Sequence, residues 1–236
     1  MVSFFSFPVA SSEPDEEQRE PYRRQSTEHG PSADEIGRPL AAAFVLARTD
    51  TLGIAVRGIR VFSSGCAIEI GFILRRTDED TEQWQQLTDI AFGGRFGPRA
   101  DKDALLFGVA LSDGTVARTT DRMRREESLD APRLTSTGGH SGSSGTERIH
   151  GSTELWLHPL PPPPTMDLVC AWPRLGLPES RRTIDTTEMQ RASADAHWIW
   201  REDADLPEDG DRGDARRPPL AVPRQRERLK KTAESS

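Results

Sequence analysis

Few residues in this chain could carry chemistry, and most stand far apart. Residues 139–143, GHSGS, come within one position of the G-x-S-x-G turn that exposes a nucleophilic serine between a strand and a helix. The fifth position is Ser143 and the flanks are rich in Gly and Ser, with no strand pattern leading into Ser141 and no helix pattern leaving it. A flexible loop of small residues is the simpler reading. His29, His140, His150, His158 and His197 lack the i, i+4 spacing or the nearby Cys and Asp partners of a metal centre, so no metal site and no cofactor are expected.

Two constellations remain. Asp89, Arg95, Asp101 and His140 fall in two long polar stretches, 77–103 and 119–150, where separated residues could assemble an enzyme site around a pocket. Trp156, Trp172, Trp198 and Trp200 fall on or near expected strands. There they serve either as core and rim packing or as a platform on which a ligand stacks. Cys66 and Cys170 occupy inward strand positions with Trp172 two residues beyond the second, a pattern resembling the inter-sheet pair of immunoglobulin domains. Their spacing is too long for a simple domain of that kind, which favours two separately buried thiols.

Composition narrows the setting. The 236 residues carry a net charge of −7 and only 34% apolar residues, against roughly 45–50% (glycine included) in an average globular chain. The apolar residues concentrate between Leu40 and Trp200, so a domain over residues 39–200 is expected between a disordered tail, 1–38, and a second one, 201–236. The second tail is segregated by charge: 202–214 hold seven acids and one Arg, whereas 215–231 hold seven bases and one acid. The basic block lacks the aromatics that stack bases, and an acidic block precedes it, so nucleic acid is disfavoured as a partner and a protein partner favoured. No apolar run reaches the 18 or so residues of a membrane span. The first ten residues lack the positive start of a secretory signal, and a reduced, cytoplasmic protein is expected.

The elements that must position these residues are mainly strands. Residues 40–47 read as a short buried strand. Residues 51–76 read as a hairpin whose second arm alternates Cys66, Ile68, Ile70, Phe72 and Leu74 on one side, with a three-residue turn at Ser63, Ser64 and Gly65 and a left-handed backbone at Gly65. Pairing Phe62 with Cys66 turns Arg60 inward; a bulge at Gly58 turns Ile59 and Val61 inward instead, and the sequence leaves both open. Leu105, Phe107, Val109 and Leu111 alternate ahead of a two-residue turn at Asp113 and Gly114. Residues 119–150 read as a long loop; TELWLH and MDLVCAW are two further strands. Asp185 and Glu188 spell a capping box, with Ile184 and Met189 as its hydrophobic staple, for a helix over 186–196. HWIW closes the set as a short strand. The expected fold is mainly β: an antiparallel sandwich or open barrel of six to seven strands with one C-terminal helix.

Residues 161–164 are four prolines. Their PxxP spacing matches ligands read as a polyproline II helix, but the run is bracketed by core-like strands and has no adjacent basic residue, which favours a stiff elbow between strands. Trp156, this elbow, Cys170-x-Trp172-Pro173, Glu179, Ile184-Asp185 and Trp200 together resemble a family of uncharacterised proteins from high-GC Gram-positive bacteria. The resemblance covers residues 40–200 and is specific only after Trp156. It implies the domain limits and no site; members often carry an acid between the Cys and the Trp, where this chain has Ala171.

Overall fold

Alternating apolar residues pleat this chain into strands that bury one face, and the computed structural model describes residues 26–92, 104–120, 131–137 and 141–200. In chain order the strands are β1 (Glu35–Ile36), β2 (Arg38–Leu40), β3 (Phe44–Arg48), β4 (Leu52–Val61), β5 (Cys66–Arg75), β6 (Leu106–Leu111), β7 (Val116–Arg118), β8 (Arg133–Ser136), β9 (Ser141–Ser144), β10 (Arg148–His158), β11 (Thr165–Trp172), β12 (Leu177–Asp185) and β13 (His197–Trp198). Helix α1 (Thr81–Phe92) follows β5, and α2 (Thr187–Ala194) follows β12. All pairings are antiparallel. A larger sheet runs β2/β3–β4–β5–β10–β8/β9, with β2 and β3 sharing one edge and β8 and β9 the other; a smaller one runs β12–β11–β6–β7. The two pack as a sandwich, with β12 lying beside β3 and β7 beside β8 at its sides. The mainly β, sandwich-like architecture is the expected one, built from more strands than six or seven.

The core lies between the sheets. Leu52, Ile54, Val56, Ile59 and Val61 of β4 meet Cys66, Ile68, Ile70, Phe72 and Leu74 of β5, facing Phe107, Val109, Met166, Leu168, Cys170 and Trp172 from the smaller sheet. Phe72 and Trp172 meet edge to face with centroids 5.4 Å apart. The open question in the first hairpin resolves as a bulge: Val56 pairs with Ile70 and Gly58 with Glu69, so Arg57 is the extra residue and the parity switches there. Ile59 and Val61 are consequently buried, while Arg60 stays outside and reaches Glu154.

Both turns differ from expectation. Val61, not Phe62, pairs with Cys66, and the Phe62 N–H donates to the Gly65 carbonyl at 2.9 Å, leaving Ser63 and Ser64 at the tip. Gly65 is required by proximity rather than by a positive φ: a Cβ there would collide with the Leu157 carbonyl oxygen and come within 2.8 Å of the Trp156 ring. In the second hairpin the Leu111 N–H donates to Thr115 and Gly114 has φ of 86°, a three-residue loop with a left-handed glycine instead of a two-residue turn.

Three stretches expected to lack structure carry it. Within 77–103, Asp80 and Gln83 form a reciprocal capping box, the Gln83 N–H donating to Asp80 and the Asp80 N–H to Gln83, and α1 follows. Trp84 anchors that helix: it is buried and donates its indole N–H to the Gly145 carbonyl at 2.8 Å. Within 119–150, β8, β9 and the start of β10 line one edge of the larger sheet. Residues 26–38, expected to belong to the disordered tail, lie against the sheet with Thr27, Ser32 and Glu35 buried. β12, read as no strand, pairs with β11 along most of its length.

The proline run crosses from β10 of the larger sheet to β11 of the smaller. Prolines offer carbonyls without N–H groups, so such a crossing needs outside donors. Gln190 Nε2 donates to the Pro161 carbonyl, Thr186 Oγ1 to Pro162, Ser112 Oγ to Pro163 and the Thr186 N–H to Pro164, at 2.8–3.1 Å. This engagement also alters the helix start. Thr186 is the N-cap, and its hydroxyl serves Pro162 instead of its own helix, while Asp185 accepts from the Thr187 N–H. The helix spans 187–194, shorter than expected, although Ile184 and Met189 are both buried as the staple required.

Two stability tests follow from this packing. Gly65→Ala should lower unfolding free energy by about 1–3 kcal/mol in denaturant titration, whereas Gly53→Ala, with open space around its Cβ position, should leave it unchanged or raise it by up to about 1 kcal/mol. Thr186→Val, which strips the Pro162 carbonyl of its donor in a fully buried position, should cost about 1–3 kcal/mol, and Thr186→Ser distinctly less.

Candidate functional site

The sandwich has two outward faces, and the smaller sheet leaves an apolar one open. Its central strands turn mostly apolar residues outward, three of them small: Leu106, Gly108 and Ala110 on β6, Val169 and Ala171 on β11, with Asp167 of β11 beside them. Its outer strands carry longer side chains on the same face: Val116 and Arg118 on β7, Glu179, Arg181 and Thr183 on β12. Register places them in rows, Arg181–Val169–Gly108–Arg118 and Thr183–Asp167–Ala110–Val116. With strands about 4.8 Å apart, each row spans about 14 Å at the backbone. Low centre and tall sides make a trough of about 220 Å³.

Its charged wall is organised. Arg181 donates to Glu179 at 3.0 Å and to Asp167 at 3.4 Å, and the Thr183 hydroxyl donates to the other Asp167 oxygen at 2.6 Å. The hydrogen bond to Glu179 and the charge of Asp167 hold the Arg181 guanidinium above its ordinary pKa, so it remains a fixed cation. The trough therefore offers an apolar floor and a wall in which acids and bases balance. One signal in the sequence pointed here: LFGVAL is apolar or small at both outward and inward positions, unlike a strand with one wetted face.

The tryptophans named from the sequence separate into two kinds. Trp156 and Trp172 are fully buried and present no ring face to a ligand, Trp172 against Phe72 in the main core and Trp156 against Phe62 on the outer side of the larger sheet. Trp198 is half-buried on β13, and Trp200 is 55% exposed beside Ile199. The four do not form one surface, because two of them are fully buried, Trp172 in the main core and Trp156 in a separate cluster.

Of the enzyme constellation, only Asp89 falls among the described residues. Asp89 is exposed on α1, where Gln85 donates to it at 3.4 Å; Arg95, Asp101 and His140 lie outside the described residues. His29, His150 and His197 are exposed. Among the described residues no group of three or more His, Cys, Asp or Glu could hold a metal ion. Ser141 begins β9. The charged blocks at 202–214 and 215–231 also lie outside the described residues. No helix among those described is long and apolar enough to cross a membrane.

Cys66 and Cys170 are free and buried in the core, and burial pushes both thiols from their usual 9.0 up to about 12. The reactive species is the thiolate, so both should resist iodoacetamide at pH 8 in the folded protein and react promptly in denaturant, as counted by mass spectrometry. Because the folded thiols hold their protons longer than unfolded ones, stability should fall as pH rises above 9, by up to about 1.4 kcal/mol per thiol per pH unit.

No family model matches this chain, and neither a curated protein nor a solved structure matches it.

Proposed function

We propose that this is a cytoplasmic binding protein without catalytic activity, which holds an extended segment of a protein partner on the outer face of its smaller sheet. The observation that carries this reading is the trough over Gly108, Ala110, Val169 and Ala171. Small-molecule sites usually enclose about 300–1,000 Å³ and bury most of the ligand. A trough of about 220 Å³, open along one side, is too shallow for that, while an apolar floor with a charged rim has the anatomy of a protein interface. Nucleic acid fits poorly, because Asp167 and Glu179 offset the positive charge of Arg181. Leu106, Gly108 and Ala110 repeat every second residue, about 6.8 Å apart, the same period as alternate side chains of an extended peptide laid along the strands. Two free thiols in the core agree with a reducing compartment.

The trough can be filled without disturbing the fold. A Cβ on Gly108 would meet its nearest neighbour, the Ala117 carbonyl oxygen, at 3.4 Å, an ordinary contact, and valine suits a strand. A photo-crosslinking residue placed at Val116 in the source cell should give discrete adducts that vanish in Gly108→Val. The same residue at Val45, 58% exposed on the other sheet, should not give them. Identical adducts from both positions, or adducts that survive Gly108→Val, would sink the assignment.

A further inference from the structure

The outer side of the larger sheet carries a second apolar cluster, separate from the main core: Phe62, Ala67 and Trp156. Phe62 and Trp156 meet edge to face at 5.5 Å, and Ala67 pairs directly with Trp156 across β5 and β10. This patch is roofed by residues 26–37, a strap that turns at 27–30 and again at 33–34 and whose regular structure is limited to β1, paired with β13. The strap adds no buried hydrophobic residue to the cluster, and its described polar contacts with the sheet come from a backbone carbonyl and two carboxylates.

The sheet side of this contact is a set of donors around an aromatic floor. The Trp156 indole N–H donates to the Thr27 carbonyl at 2.8 Å. At the tip of the β4–β5 hairpin, the Ser63 N–H and hydroxyl donate to the two oxygens of Glu35 at 2.6 and 3.0 Å, and that carboxylate is buried. Arg133 of β8 forms an ion pair with Glu28. Gly37 lies flat on the Phe62 ring, where a Cβ would come within 2.6 Å of it. An indole N–H, a turn N–H with its hydroxyl and a guanidinium all ask for acceptors. They lie where one short segment satisfies them with a carbonyl and two carboxylates seven residues apart in sequence.

We propose that this face is a binding site for an acidic peptide, kept filled in cis by residues 26–37, and that a partner segment bearing the same pair of carboxylates displaces the strap. The strap is open to exchange at its Glu28 end, where the Glu28 and Arg133 side chains retain 24% and 31% exposure and the pair is weakened by salt and competition; the buried contact made by Glu35 is one that a replacing segment supplies again. This site is distinct from the trough of the smaller sheet, and its occupant differs, since the trough offers an apolar floor rather than convergent donors.

The test uses the full chain and a synthetic peptide of residues 26–37, titrated calorimetrically. A tethered strap competes at an effective concentration of the order of millimolar. The double variant Glu28→Ala/Glu35→Ala, which loosens the strap and leaves the sheet side intact, should therefore bind the peptide at least about 100-fold more tightly than the unaltered chain. A peptide with both glutamates replaced by glutamine should lose at least about 10-fold in affinity for that variant, and adding Arg133→Ala to the variant should weaken the unaltered peptide similarly. Circular dichroism checks that the double variant is folded; if it is not, Glu28→Gln alone is used, with the same two readings in the same directions. The proposal is overturned if the folded variant binds the peptide no better than the unaltered chain does, or if the glutamine peptide binds as well as the glutamate one.

Discussion

The Phe72–Trp172 contact joins the two sheets, and much of the interior is arranged to permit it. Phe72 projects from the middle of the larger sheet and lies over Gly151 of β10, where even a methyl group would overlap the ring. Trp172 comes from the end of β11 in the smaller sheet and meets the ring edge-on at an interplanar angle of 88°. Aromatic pairs of this geometry are worth about 0.5–1.5 kcal/mol beyond the area they bury, and the two rings are among the largest fully buried side chains. Phe92 at the end of α1 approaches the same ring at 6.5 Å, so the helix end is tied to the contact as well.

A sandwich also needs its layers connected, and here the connection is a run of residues unable to donate hydrogen bonds. The prolines after β10 leave the ladder and present one carbonyl after another, and α2 with the β6–β7 turn answers them. Thr186 contributes both its N–H and its hydroxyl, which explains why a threonine is fully buried at a helix start. The prolines are thus a fixed crossing within the fold, and their carbonyls are engaged by the chain itself.

The two outer faces illustrate different fates for exposed apolar surface. At the hairpin end of the larger sheet, a distant strap covers Phe62 and Trp156 and closes the chain by pairing β1 with β13. On the smaller sheet nothing among the described residues covers the trough. Both surfaces are built on paired strands, the second together with the turn at Phe62 and Ser63, which gives any contact made on them a pre-set geometry at little ordering cost.

Much of this was legible in the residues. Period-two alternation in 66–74 and 105–111 named the inward side chains correctly, because pleating alone decides which residues share a face. The bulge remained open in sequence because Gly58 permits either parity; only the burial of Ile59 and Val61 against the other sheet selects one. The capping boxes make the same point. Asp80 and Gln83 spell a real one inside a stretch that reads as a polar loop, because the first half of the helix behind them is polar apart from Trp84 and its other apolar residues, Leu87, Ile90, Ala91 and Phe92, come late. Asp185 and Glu188 spelled an equally good one, yet Thr186 became the cap because proline carbonyls nearby required its hydroxyl. By itself the sequence determined the strands with clear alternation, which of their residues share a face, and a mainly β antiparallel fold, all consequences of local period. Only the tertiary structure decided which face is roofed, which Trp is hidden and which is exposed, because covering a face requires a segment more than a hundred residues away, as Thr27 covers Trp156.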